Sequence, residues 1–200
     1  RPNDIDLREI MDVKGFIRKT EAIAGARYAG LVDENIHFMA LPFYETGKKV
    51  KSPVTEEDVK ITMELLQKVK PHQIFAAGDF ADPHGTHIVC FNIILEAMNR
   101  LRETEEWTKN CWLWMYRGAW QEFDIHDIEM AVPLSPQEVA RKREAIFKHQ
   151  SQKDTPVFPG DDEREFWVRA EERNSETAMA YHNLGLANYE AIEAFVRWKF

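Results

Sequence analysis

The sequence has only two cysteines in 200 residues, Cys90 and Cys111, far apart and in no Cys-x-x-Cys spacing. That excludes a disulfide scaffold and a cysteine-built zinc module, and leaves both as reduced, buried, small apolar residues of a cytoplasmic protein. No apolar stretch approaches the length of a membrane span, and no signal-peptide pattern is present. Basic clusters are also missing: 26 Lys and Arg against 34 Asp and Glu give a net charge of −8. Nucleic-acid-binding domains are usually basic, so that balance argues against such a surface. There is no internal repeat and no low-complexity tract, and the chain opens Arg1-Pro2-Asn3-Asp4 without a methionine.

What is present suits one globular domain over residues 1–200, with 44% hydrophobic and 12% aromatic residues to build a core. The stretch around which the chain is organised is Ala77-Gly78-Asp79-Phe80-Ala81-Asp82-Pro83-His84-Gly85-Thr86-His87. The apolar run Gln73 to Ala77 leads in and an amphipathic run from Ile88 to Leu101 follows, so the stretch reads as strand, polar loop and helix start. Open α/β sheets place their ligands at such junctions. Two carboxylates and two imidazoles fall here, and histidines three apart at a helix start can face one side, one binding a metal and the other beside a substrate. The plainer use of the same residues is capping, with Asp82 or Thr86 closing the helix start.

Around this centre the spacing predicts a helix over Asp6 to Ala29, with Gly15 as a break, and a strand over Asn35 to Leu41 in which His37 is a packed residue. A second helix starts at Thr55 with a capping box closed by Asp58 and stops at Pro71. Cys111 to Tyr116 is a strand by its aromatic content, and Tyr116, Arg117 and Trp120 at its end can stack on and hydrogen-bond a sugar ring, or serve the core. His126 precedes the apolar run Ile128 to Val132 and reaches the site or satisfies a loop. Ser135-Pro136-Gln137-Glu138 starts a helix running to His149. Asp161 to Tyr181 reads as a charged helix whose acids and arginines form a solvated face, and Tyr189 to Phe200 fits a helix or a last strand.

The block Gly78-Asp79 through Asp82-Pro83-His84-Gly85-Thr86-His87 resembles the second metal motif of the LmbE/PIG-L family, zinc-dependent de-N-acetylases of N-acetylglucosamine-type sugars. That motif is usually His-Pro-Asp-His; here Gly85-Thr86 stands in the middle. Arg18-Lys19-Thr20-Glu21-Ala22 with Ala29-Gly30-Leu31, then Lys148-His149-Gln150-Ser151-Gln152, then Glu193-Ala194-Phe195 add to the resemblance. Nearly the whole chain is similar to the C-terminal LmbE-like domain of long proteins that carry a glucosamine-6-phosphate deaminase-like domain in front and are often named after it. The family's first motif, His-Pro-Asp-Asp, has no counterpart here. We therefore expect the C-terminal portion of a longer protein, with its opening strands upstream.

The resemblance implies a Rossmann-like α/β domain, a three-layer α/β/α sandwich whose sheet is incomplete without those strands. It implies hydrolysis of an N-acetyl group on a glucosamine-type sugar. His87 would be a zinc ligand, the other ligands coming from the upstream segment. His84, Asp82 and Asp79 would be the catalytic set: His84 stabilises an oxyanion or protonates the leaving amine, and an aspartate holds an imidazole in its tautomer. Arg18, Tyr116, Arg117 and His149 would contact the substrate, Arg18 through a fixed guanidinium fork. The expected partners are an amino-sugar small molecule and the upstream part of the same protein, with no nucleic acid and no membrane; a homo-oligomer stays open. Two rivals are a non-catalytic sugar-binding or assembly module, and a parent protein whose activity is the deaminase-isomerase reaction of its front domain. On this reading, residues 1–200 alone release no acetate from N-acetylglucosamine, and an acetate assay with and without the upstream segment checks it.

Overall fold

A computed structural model describes residues 7–45, 51–80, 85–118, 122–152 and 164–200. Five helices, α1 (Arg8–Ala29), α2 (Glu56–Val69), α3 (Thr86–Thr104), α4 (Pro136–Phe147) and α5 (Phe166–Asn183), accompany four strands, β1 (Gln73–Ala77), β2 (Trp112–Tyr116), β3 (Met130–Leu134) and β4 (Ala191–Trp198). The strands form one mixed sheet in the order β1-β2-β4-β3, parallel between β1 and β2 and antiparallel elsewhere. The expected α/β architecture is present, a sheet flanked by helices.

Strand alternation sorts the two faces. Ile74 and Ala76 of β1, Leu113 and Met115 of β2, and Val196 and Trp198 of β4 point one way and pack with Phe91, Ile94 and Leu95 of α3. The aromatic ring of Phe91 sits at the middle of this layer, edge-on to Phe80 at 5.1 Å and to Trp198 at 5.3 Å. Helix α2 backs α3. Its start is the expected capping box, and the buried Asp58 also accepts the Phe43 N–H at 2.9 Å, pinning the preceding loop. On the other face, α5 lies along β4 and is joined by α4, against which α1 packs.

Several expectations change. α1 runs unbroken through Gly15; one glycine costs a helix only about 1 kcal/mol, which the neighbouring turns absorb. Residues 36–41 are not a strand. Ile36 and Met39 are half-buried and the residues between them exposed, a three-residue spacing, and Phe38 lies under Lys19 with 5.1 Å from ammonium to ring. His37 is accordingly exposed rather than packed in a strand. The last segment is a strand and not a helix. Gly85, left-handed at φ 62°, caps α3 without a side-chain bond, so Thr86 is not the cap. Asp82, His84 and Trp120 lie outside the described residues.

No helix among the described residues is long and apolar enough to cross a membrane, and both cysteines are free thiols whose pKa burial raises. Because Phe91 joins the loop after β1 to α3 and β4, Phe91→Ala is expected to cost roughly 3–5 kcal/mol, read as a lowered urea midpoint.

Candidate functional site

The carboxyl ends of the parallel strands β1 and β2 lie side by side, and the chain continues their pairing past the strands. Gly78 donates its N–H to the Tyr116 carbonyl at 2.8 Å. A Cβ at Gly78 would stand 2.8 Å from the Cβ of Met115, so only glycine allows this close approach. One residue on, Asp79 is fully buried, and its Oδ2 accepts the Gly118 N–H at 2.5 Å. Its Oδ1 has no hydrogen-bond partner and lies 3.9 Å from the Arg117 guanidinium.

Burial pushes the Asp79 carboxyl above the ordinary range, against the pull of the Gly118 N–H and of the charges on Arg117, His87 and Arg173. Those influences also locate His87, on the first turn of α3, and Arg173, on α5, around the same carboxyl. Tyr116 at the end of β2 is pushed up as well, by burial and then by the negative charges of Asp79 and Glu193, so its hydroxyl stays a donor. Arg117 folds back with its guanidinium 4.5 Å from the Phe123 ring centroid.

Beside these residues, on the α5 face, is a cavity of about 300 Å³ walled by Phe75, Tyr116, Arg117, Arg173, Glu193 and Phe195. Phe75 and Phe195 meet edge to face at 5.3 Å. Arg173 donates to Glu122 at 2.9 Å, and that carboxylate also takes Thr177 Oγ1 at 3.2 Å and the Phe123 N–H at 3.0 Å. Glu193 is held by Lys142, which also bonds Asn174 at 2.8 Å.

The structure thus brings Asp79, His87, Tyr116 and Arg117 to one end of the sheet. Arg18 lies on α1 and His149 just after α4. Arg18, Glu21 and Gly25 recur along one face of α1, and His149, just after α4, packs on Gly25, where a Cβ would come within 3.1 Å of its Nε2. Glu21 accepts the Ser151 N–H and hydroxyl, both at 2.7 Å, joining two of the segments that carry the family resemblance. Arg173 was missed by the sequence, which reads α5 as a solvated face; Arg169, Arg173 and Asn174 are buried. The signal available was Trp167 and Ala170 beside Arg173 and Asn174, a stripe too polar to stand out as apolar.

As to a metal, the strand ends contribute one imidazole, His87, and one carboxylate already engaged by Gly118. A catalytic zinc takes three protein ligands, so the described residues do not complete a set there. Among the described residues, Asp124, His126 and Asp127 form one group whose ligand atoms approach within 4.8 Å of one another and could hold an ion; all three are exposed. His126 and Asp127 belong to the rim of a different cavity, of about 560 Å³, on the α3 face beside Met115 and Trp198.

No family model matches the sequence. A glucosamine-6-phosphate deaminase-like protein of Bacteroides thetaiotaomicron is 52% identical over 199 residues, which is 99% of this chain and 30% of that protein. The chain therefore spans about a third of its relative's length. Among solved structures, GalB, the 4-carboxy-2-hydroxymuconate hydratase of Pseudomonas putida KT2440, superposes with a TM-score of 0.63 at 15% identity, over 99% of this chain and 77% of that one. A deacetylase of the teicoplanin biosynthesis pathway gives a TM-score of 0.52 at 12% identity, over 92% and 74% of the two chains. The chain shares their fold. That a deacetylase is among these neighbours is consistent with a LmbE/PIG-L-like fold; at such low identity the likeness concerns the fold alone.

The raised Asp79 carboxyl has a consequence for stability. Between the ordinary carboxyl pKa and the raised folded value, the folded state binds more protons than the unfolded, so this group's contribution falls as pH rises through that window. Asp79→Asn removes the cost while its amide oxygen keeps the Gly118 bond. The substitution is expected to raise Tm at pH 7 by about 2 °C and to remove that share of the pH dependence, measured by melts from pH 4 to 8; a lower Tm at pH 7 would show that the charged carboxylate is stabilising.

Proposed function

We propose that this domain acts on an amino sugar and belongs to a zinc-dependent hydrolase that removes an N-acetyl group from a glucosamine-type sugar. The observation that carries this reading is the convergence of Asp79, His87, Tyr116 and Arg117 at the ends of two parallel strands, beside an aromatic-walled cavity. The name of the Bacteroides relative supports the amino-sugar part, and the LmbE/PIG-L resemblance of the Gly78 to His87 block supports the hydrolytic part.

In this reading the aromatic rings of Phe75 and Phe195 take the apolar side of a sugar ring, Tyr116 donates to a ring oxygen, and Arg117 reaches a polar substituent. Asp79 fixes the turn at Gly118. His87 supplies one zinc ligand, with the remaining ligands contributed from elsewhere in a longer protein of which residues 1–200 form a single domain. His84 and Asp82 complete the catalytic set. Zinc bound there would polarise the acetyl carbonyl and lower the pKa of water to about 7.

Gly85-Thr86 in place of the motif's Pro-Asp favours a second reading, in which the domain binds the sugar without cleaving it. Elemental analysis and acetate release separate the two, measured on the full-length protein and its His87→Ala variant. The hydrolase reading expects near-stoichiometric zinc and acetate release from N-acetylglucosamine, with His87→Ala losing the metal and at least about a hundredfold in rate. Sugar binding with neither zinc nor acetate release would leave the binding module.

A further inference from the structure

We propose that Arg117 and Arg173 form an oxyanion subsite at the end of the α5-face cavity, holding a phosphate or carboxylate group carried by the ligand. The inference deepens the amino-sugar reading by adding a charged substituent to the ligand, and it rests on that reading only for the choice of sugar probes.

Arg117 and Arg173 both line the same cavity of about 300 Å³. Each also has a buried Nε–H without an acceptor. For Arg173 this is notable because its side chain is 8% exposed and comes from the middle of a helix laid against the sheet. Burying a donor with no acceptor costs roughly 1–3 kcal/mol, and a cationic donor more. Two such donors lining one cavity call for a ligand rich in acceptors.

The charges nearby point to an anion. Glu122 neutralises Arg173 through one η nitrogen and is itself occupied by Thr177 and the Phe123 N–H. Glu193 is matched by Lys142. Arg117 has for a counter-charge only Asp79 among these acids, at 3.9 Å, beyond hydrogen-bond length. None of these acids therefore stands within hydrogen-bond distance of the Arg117 guanidinium. Planar guanidinium groups with unpaired ε donors match the paired oxygens of phosphate and carboxylate better than an ammonium does. Across the cavity, Phe75 and Phe195 offer apolar walls to the body of the same ligand.

Inorganic phosphate is the direct probe. Titration calorimetry on the full-length protein is expected to show binding at millimolar concentration or tighter, weakened at least about tenfold in both Arg173→Gln and Arg117→Gln. Arg173→Gln leaves Glu122 buried and can unfold the chain. Arg117→Gln, at a partly exposed position stacked on Phe123, is the variant that keeps the question open to measurement, and Arg173→Lys retains the charge while removing the fork. No phosphate binding by the wild type up to about 10 mM, or equal binding by folded Arg117→Gln, would overturn the subsite. Glucosamine 6-phosphate and glucosamine form the second arm. Tighter binding of the phosphorylated sugar than of phosphate, again lost in Arg117→Gln, assigns the oxyanion to a sugar ligand. Phosphate binding with no gain from the sugar leaves the subsite standing and counts against the amino-sugar reading alone.

Discussion

The hydrogen bond from the Gly118 N–H to the buried Asp79 carboxylate is the constraint on which the rest of the candidate site depends. Parallel strands are tied together along their length by slanted ladder bonds, but nothing in a ladder fixes where the chain goes once the strands end. Here the Gly78 to Tyr116 bond adds one rung, and the Asp79 bond then clamps the two departing loops to each other. Because the carboxylate is enclosed, water cannot take the place of its partner, and the geometry of the turn is set by a group that has few alternatives. Tyr116 and Arg117 emerge from one side of that clamp and the loop toward α3 from the other, so the aspartate acts on the site through position as well as through charge.

A second polar layer fixes α5. A helix whose inner face were wholly apolar could slide or rotate on β4 at little cost. Instead, Asn174 donates to the Ile192 carbonyl at 3.1 Å and accepts from Lys142, while Arg173 reaches Glu122. These bonds cross from helix to strand, from helix to helix and from helix to loop, and a shifted register would leave several of them unmade within a poorly hydrated layer. The cost of desolvating these charges is offset by their mutual pairing, and the return is one defined placement of α5.

How much of this could be read from the sequence follows from which signals are local. Capping boxes at Thr55 and Ser135 announced two helix starts because the atoms involved lie within four residues. The run Gln73 to Ala77, the aromatic strand ending at Tyr116 and the helix beginning near His87 were equally legible, and with them the junction at which Asp79, His87 and Arg117 meet. Alternation misled at Asn35 to Leu41, since a period of two exists in many loops and becomes a strand only where a partner strand supplies the ladder. The burial of Arg173 was hidden for the opposite reason: its acceptor, Glu122, lies 51 residues away, and no local pattern marks a charge whose partner arrives through tertiary packing. His149 and Arg18 were singled out by motif, and the helix pairing of α1 with α4 that brings Ser151 onto Glu21 was not visible in spacing at all.

The position of β4 has a consequence for how the chain acquires its structure. Of the four strands it comes last in sequence, yet it lies between β2 and β3 and pairs with both. On the ribosome, β1 and β2 can join with α3 as a local unit, while β3 emerges with no neighbour to pair with among the described strands. It must wait some sixty residues, several seconds at ordinary rates of about 5–20 residues per second, before the strand that bridges it to the others is made. Until then Met115 and Leu113 have an open flank where Val196 and Trp198 will lie. Among the described strands β4 thus acts as a keystone, and from the end of β2 until β4 is made the core on this side stays unfinished.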